Sequence, residues 1–391
     1  MSAKLDDELR AAFEVASEFI KPPGGLADKA CRARRPWWHR QRDAIAACAV
    51  VLATAGAVYA LSGHYSSKPV PEPPGPRVVV KTRYPVSEAA VSGQYVYLAS
   101  SQRSLVAAYN RATGKMVRRV RVHGSPTWLA VGPGRLVWVG IVGDRSPNMI
   151  LLLSPDLGRR ATAGSPGSGP LVPTSRQTAL TAAPYGVLNV RMPAPGQSGL
   201  ASVRQESDSQ LGAGLTTAPG NWVGLLDGRV AVQVTNGYGY GSHLVIAGEP
   251  GVTFGGDPQQ QVGAVAKAGD SLWAQTFAIT NSRVALWGPL VRLDGQLRAT
   301  TPVFIQRNPV LARSENVWSA GSAVWVSTGA PGHALVCFAA RSGAGPVITV
   351  LAGGRVAAVA ATSGTAYVTT VTGVSRGRSV VTSYPIPAAC R

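Results

Sequence analysis

One phrase comes back seven times in this chain, and no other feature restricts the fold as much. Each copy is a short apolar run, a two-residue turn containing glycine, and a second run, often with an aromatic residue four places after the glycine. Gly93 leads to Tyr97, Gly134 to Trp138, Gly269 to Trp273 and Gly321 to Trp325; looser copies surround Gly186, Gly228 and Gly364, the last followed by Tyr367. The turn glycines are separated by 41, 52, 42, 41, 52 and 43 residues. That is the period of propeller blades. Each unit is an antiparallel sheet too small to bury both its faces, so the faces are buried by stacking units around an axis. The sequence therefore predicts an all-β, seven-bladed propeller over residues 77–391. Tyr97, Trp138, Trp273 and Trp325 are expected between blades. The two long intervals are expected as surface loops near Ser154 to Gln177 and Phe277 to Asn308. With 45 Gly, 29 Pro and 15% charged residues, the composition excludes a coiled coil and an acidic disordered chain.

A ring of blades must close without exposing strand edges. Two devices are available. Arg77 to Arg83 (RVVVKTR) precedes the first full unit and can supply the outermost strand of the seventh blade, whose inner strands come from Arg355 to Pro385. Cys390 can pair with Cys337 of the sixth unit, anchoring the C-terminus with a stabilisation on the order of 3 kcal/mol. Two buried free thiols are the other reading.

The first 76 residues are of another kind. Ala44 to Ser62 is 19 residues without a charge, enough to cross a hydrocarbon core of about 30 Å as a helix. Six Lys or Arg and no acid fall in residues 29–42, which places the N-terminus in the cytosol and the C-terminal domain outside the cytoplasmic membrane. A cleaved signal would have a shorter charged region, although small residues near Ala55 to Ala60 leave cleavage open. Upstream, Leu5, Leu9, Phe13, Ala16 and Ile20 share one face of a short amphipathic helix over residues 5–20. Downstream, Ser66 to Pro76 holds five prolines and acts as a semi-rigid spacer. The organisation expected is a cytosolic segment 1–42, a membrane helix 43–63, a linker 64–76 and the propeller.

Segments Pro126 to Val139 (PTWLAVGPGRLVWV) and Asn316 to Val326 (NVWSAGSAVWV) resemble the repeats of the YVTN and streptogramin-lyase-like propellers. The whole chain is similar to actinobacterial single-pass membrane proteins with an extracytoplasmic propeller. The lyase resemblance implies a His, Glu and His constellation with a divalent metal on one face of the ring. The acid expected after an inner-strand Trp is missing, since Trp138 precedes Val139-Gly140 and Trp325 precedes Val326-Ser327. His123, just before an innermost strand, is the histidine best placed for surface binding.

No Walker loop, Cys-x-x-Cys, G-x-S-x-G elbow or acidic calcium loop is present, so no catalytic, metal or cofactor-binding residue is assigned. Tyr238 and Tyr240, in Gly237-Tyr238-Gly239-Tyr240-Gly241, are candidates to stack on a sugar or peptide at a hairpin tip. Residues 63–391 hold 29 Lys and Arg against 12 Asp and Glu. The intervening membrane argues against nucleic acid as the partner, so the excess suits anionic headgroups or an anionic wall polymer; an envelope protein is the other partner class expected. The function expected is a non-enzymatic, membrane-anchored binding or scaffolding module at the cell envelope. The alternatives are an extracytoplasmic lyase or hydrolase with an axial-mouth site, and transmembrane signalling through the N-terminal segment.

Overall fold

A computed structural model describes residues 75–143, 148–164, 170–183, 186–194, 198–200, 202–206, 215–216, 222–236, 242–257, 260–279, 285–303, 314–328, 334–343, 347–350, 354–373 and 377–391. The expected amphipathic helix, the apolar segment Ala44 to Ser62 and the linker as far as Pro74 lie outside the described residues. Among the described residues, no helix is long and apolar enough to cross a membrane.

Seven sheets make up the fold. Strand β1 (Arg77–Thr82) comes first in the chain but joins the last sheet. Blade 1 is β2 (Glu88–Ser92), β3 (Tyr95–Ser100), β4 (Leu105–Asn110) and β5 (Met116–Arg121). Blade 2 is β6 (Ser125–Val131), β7 (Val137–Val142), β8 (Met149–Leu153) and β9 (Arg159–Gly164). Blade 3 is β10 (Leu171–Pro173), β11 (Thr178–Ala183), β12 (Gly186–Arg191) and, after β13 (Ser198–Leu200), β14 (Ser202–Glu206). Blade 4 has β15 (Leu215–Thr216) and β16 (Val223–Leu226), both paired to β17 (Arg229–Asn236), then β18 (Ser242–Ile246) and β19 (Glu249–Gly255). Blade 5 is β20 (Gln261–Ala268), β21 (Ser271–Ile279), β22 (Ala285–Leu293) and β23 (Ala299–Val303). Blade 6 is β24 (Ser314–Ala320), β25 (Ala323–Thr328), β26 (Ala334–Ala339) and β27 (Val347–Val350). Blade 7 is β28 (Arg355–Ala361), β29 (Thr365–Thr372), β30 (Arg378–Pro385) and, outermost, β1.

The first strand of each blade is innermost. Strand β2 lies beside both β6 and β28, β6 beside β10, β10 beside β16, β20 beside β24, and β24 beside β28. Because the strands alternate in direction, the glycine turns lie at one end of the ring and the connections between blades at the other.

The core is divided into seven apolar clusters, one in each seam between neighbouring blades. The recurrent aromatic sits on the second strand and fills the seam with the next blade. Tyr97 packs toward blade 2, Trp138 toward blade 3, Trp273 toward blade 6 and Trp325 toward blade 7. All four are at most 1% exposed. Trp273 stacks on Phe338 of blade 6 with ring centroids 6.0 Å apart, and the Tyr97 hydroxyl donates to the Pro155 carbonyl of blade 2 at 2.8 Å. Truncating any one of these Trp side chains to Ala should cost about 3–5 kcal/mol.

Two sequence expectations are corrected here. In blade 3 the turn between the first and second strands is Thr174 to Gln177, whereas Gly186 opens the third strand, paired with Ala183. The neighbouring turns confirm the register, since Gly93 of blade 1 faces Arg135 of blade 2, and Gly134 of blade 2 faces Arg176 of blade 3. The extra residues of that interval therefore fall after β12, not between Ser154 and Gln177, where β9 and β10 lie. Part of this later stretch, β13, crosses to pair in parallel with β9 of blade 2. In blade 5 the long interval is absorbed partly by longer strands, since β21 and β22 have 9 residues each.

Ring closure follows the sequence expectation. Strand β1 pairs antiparallel with β30 from Arg77↔Ser383 to Thr82↔Ser379, with an irregularity at Val79. Cys390 is bonded to Cys337 in β26, and both are fully buried.

Candidate functional site

Where the closing blade meets the opening one, the connections at one end of the ring line an open cleft-like cavity of about 750 Å3. Its walls come from three blades: Pro85 to Ser87 with Ser101 and Gln102 of blade 1, Asn316 of blade 6, and Gly354 to Ala357 with Val371 to Gly373 of blade 7. The position follows from the strand alternation, because these segments are the entries to β2, β24 and β28 and the exits of β3 and β29.

The blade 1 wall is held rigidly. The buried Ser379 hydroxyl of β30 accepts the Val86 amide at 2.8 Å, and the buried Ser100 hydroxyl donates to the Pro85 carbonyl at 2.6 Å. The Ser87 amide donates to the Ala99 carbonyl at 2.9 Å, and the Ser101 amide to the Ser87 hydroxyl at 3.2 Å. Thr82 reinforces the joint, its hydroxyl accepting the Ser379 amide at 3.3 Å and donating to the Tyr84 carbonyl at 2.5 Å. The closing blade, through β30 and the β1 strand paired to it, thus also positions the cavity wall. On the opposite wall, Gly354 and Gly373 have φ of 86° and 82°. A side chain on Gly354 would run into the Val371 carbonyl oxygen at 2.8 Å, so the tight backbone approach there needs glycine.

The cavity chemistry is hydrogen bonding around one cation. Ser101, Gln102, Asn316 and Thr372 offer hydroxyls and amides, and Arg355 contributes an exposed guanidinium. Such a lining can hydrogen-bond along an extended peptide, and the Arg355 charge favours one that carries an acid. Next to Ser87, Glu88 opens the innermost strand β2, and burial pushes its carboxyl up to about 8. Sequence patterns gave no signal for Glu88, which lies in no motif, nor for Arg355, which reads as an ordinary strand start.

Among the described residues, no histidine lines this cavity. His123 is exposed on the connection between β5 and β6. His243 is buried in β18, the third strand of blade 4; its Nδ1 has no hydrogen-bond partner, and burial lowers its pKa. Two histidines on different blades do not form the constellation implied by the lyase resemblance. His64, His333, Tyr238 and Tyr240 lie outside the described residues. Among the described residues, no group of three or more His, Cys, Asp or Glu could hold a metal ion.

Comparison of the fold with solved structures finds propellers. The β-propeller domain of Cps50 (Swd1) from Myceliophteria thermophila matches 79% of this chain and 99% of its own, with 14% identity and a TM-score of 0.53. The WD40 domain of Neurospora crassa Pan2 matches 78% of this chain and 91% of its own at 9% identity and a TM-score of 0.51. Saccharomyces cerevisiae Sqt1 matches 80% of this chain and 100% of its own at 10% identity and a TM-score of 0.50. At such identities the likeness shows the fold. No protein-family model matches the sequence, and no curated protein is significantly similar to it.

Proposed function

We propose that this chain is a non-enzymatic binding module, a propeller tethered to the cytoplasmic membrane by Ala44 to Ser62 and displayed on the extracytoplasmic side. The cavity at the junction of blades 6, 7 and 1 is its recognition site, and an extended peptide bearing a carboxylate, presented by an envelope protein, is its ligand class. The observation that carries this reading is the cavity itself: about 750 Å3, with a wall fixed by buried serines and a lining of hydroxyls and amides around Arg355. The tether rests on the charge-free 19-residue segment and the basic run before it.

The binding test is selection of displayed peptides on the purified ring, followed by affinity measurement with Arg355→Ala and Gln102→Ala variants. Acid-containing peptides are expected to emerge, and loss of the Arg355 charge should weaken them by about 2 kcal/mol, roughly 30-fold. Peptides that bind both variants as tightly as the parent would refute the site. For the tether, externally added protease should digest the ring in intact protoplasts. Protection of the ring would contradict the topology.

A further inference from the structure

Among the described residues, large apolar side chains remain exposed at three positions, Val78, Met116 and Val117, at 47%, 49% and 49%. All three belong to outermost strands that meet at one seam. Val78 is on β1 of blade 7, and Met116 and Val117 open β5 of blade 1. The two strands are brought together by the β4–β5 turn, where Gly114, with φ of 69°, packs so closely on the Val79 carbonyl that no side chain could replace its hydrogen. One continuous rim therefore carries Val78 next to Val79 on one side and Met116 two residues beyond Gly114 on the other.

The same rim is basic. Exposed Arg77 and Lys81 flank Val78, and Lys115, Arg118, Arg119 and Arg121 surround Met116 and Val117. The acid that reaches this group is Asp156, 3.6 Å from Arg118, in an ion pair with both side chains more than half exposed. Such a pair is weak. Lys and Arg on an edge strand guard against strand pairing and need no partner. Edge protection does not explain three exposed apolar side chains set among the charges, since those promote the association that guarding charges oppose.

We infer that this rim docks on an anionic lipid bilayer, its guanidinium and ammonium groups pairing with headgroup phosphates while Val78, Met116 and Val117 enter the boundary of the acyl chains. Two further observations select lipid over a protein partner. The chain enters the rim at Arg77, directly from the 76-residue stretch that contains the apolar segment Ala44 to Ser62. Basic residues interleaved with exposed apolar ones also match the chemistry of an anionic leaflet. The inference rests on the membrane-tethered reading for its biological setting but not for its test.

Pro73–Arg391 is a compact unit whose ring closes within itself, so this fragment is used alone. Its sedimentation is measured with vesicles of phosphatidylcholine and with vesicles of three parts phosphatidylcholine to one part phosphatidylglycerol. Binding is expected only to the second and should fall with salt. Each surface Lys or Arg contributes roughly a fivefold factor in affinity, so Arg118→Gln with Arg119→Gln and Arg121→Gln should lose about a hundredfold. Met116→Ser with Val117→Ser should also weaken binding without changing net charge. A control with the same net charge, Lys267→Gln with Arg298→Gln and Arg341→Gln, should lose no more than a few-fold. Equal loss in the control and the rim variant, or no binding to the anionic vesicles, overturns the inference. Soluble polyphosphate bound through the same residues more tightly than vesicles would also overturn it, in favour of a polymer. Carbonate extraction of the full chain tests the tether separately, so the two readings can fail independently.

Discussion

Replacing Ser379 by Ala should damage ring closure and the candidate site together. Ser379 is fully buried, and its hydroxyl accepts the amide of Val86, a cavity-lining residue in the segment that enters blade 1. Alanine leaves that amide without a partner and removes little else. A buried unsatisfied amide costs about 1–3 kcal/mol, and for a ring of this size 1 kcal/mol corresponds to roughly 1.5–2 °C in Tm. The expected result is a Tm lowered by about 2–5 °C and a Val86 amide that exchanges with deuterium faster than its neighbours in β2. Thr82→Val removes the hydroxyl that accepts the Ser379 amide, so the double variant should lose less than the sum of the single ones. The assays are calorimetry and hydrogen exchange read by mass spectrometry. An unchanged Tm with unchanged protection of Val86 would refute the claim that the closing strands hold the cavity wall.

Further outcomes follow from the same structure. Cys390→Ser opens a covalent loop spanning 53 residues, which should cost about 4 kcal/mol in the chain-entropy account; a midpoint in urea insensitive to reductant would contradict the pairing with Cys337. Glu88 has its carboxyl raised to about 8 by burial, so the fold holds its proton more tightly than the unfolded chain does. Its contribution is therefore fully present below the ordinary Glu pKa and is lost as pH rises from that value through about 8. Glu88→Gln should flatten that fall in urea titrations between those pH values, and an unchanged profile would contradict it. Gly114→Ala should lower stability by more than about 1 kcal/mol, because the residue has φ of 69° and abuts the Val79 carbonyl; a neutral effect would show that β1 and the β4–β5 turn do not touch.

The architecture was legible because the repeat has a local physical cause. A glycine with positive φ permits the tight turn between the first two strands, as at Gly93, Gly134, Gly269 and Gly321, and an aromatic four residues later lands in the seam with the next blade. The closing role of Arg77 to Arg83 was legible because an isolated strand before the first unit has no other place to pair. Blade 3 broke the rule. Its first turn, Thr174 to Gln177, contains no glycine, so the nearest glycine, Gly186, stood in for it one strand too late. The site was hidden for a different reason. Residues 85–87, 101–102, 316, 354–357 and 371–373 are brought together by closing the ring, and no local pattern marks segments so far apart in the chain. The sequence drew attention to His123 as a residue type, but its position depends on the element that carries it, and it lies on an exposed connection outside the cavity lining.

The central claim is that the chain is a ring whose first strand completes its last blade. Lys81 and Val380 are directly opposed in that pairing, so a Lys81→Cys, Val380→Cys variant of the 73–391 fragment, oxidised and digested with trypsin, tests it most directly. The account predicts an intramolecular disulfide linking the peptide from the extreme N-terminal strand to the one near the C-terminus in folded monomer, and none in urea. Two free thiols in the folded protein, or cross-links formed only between molecules, would contradict it.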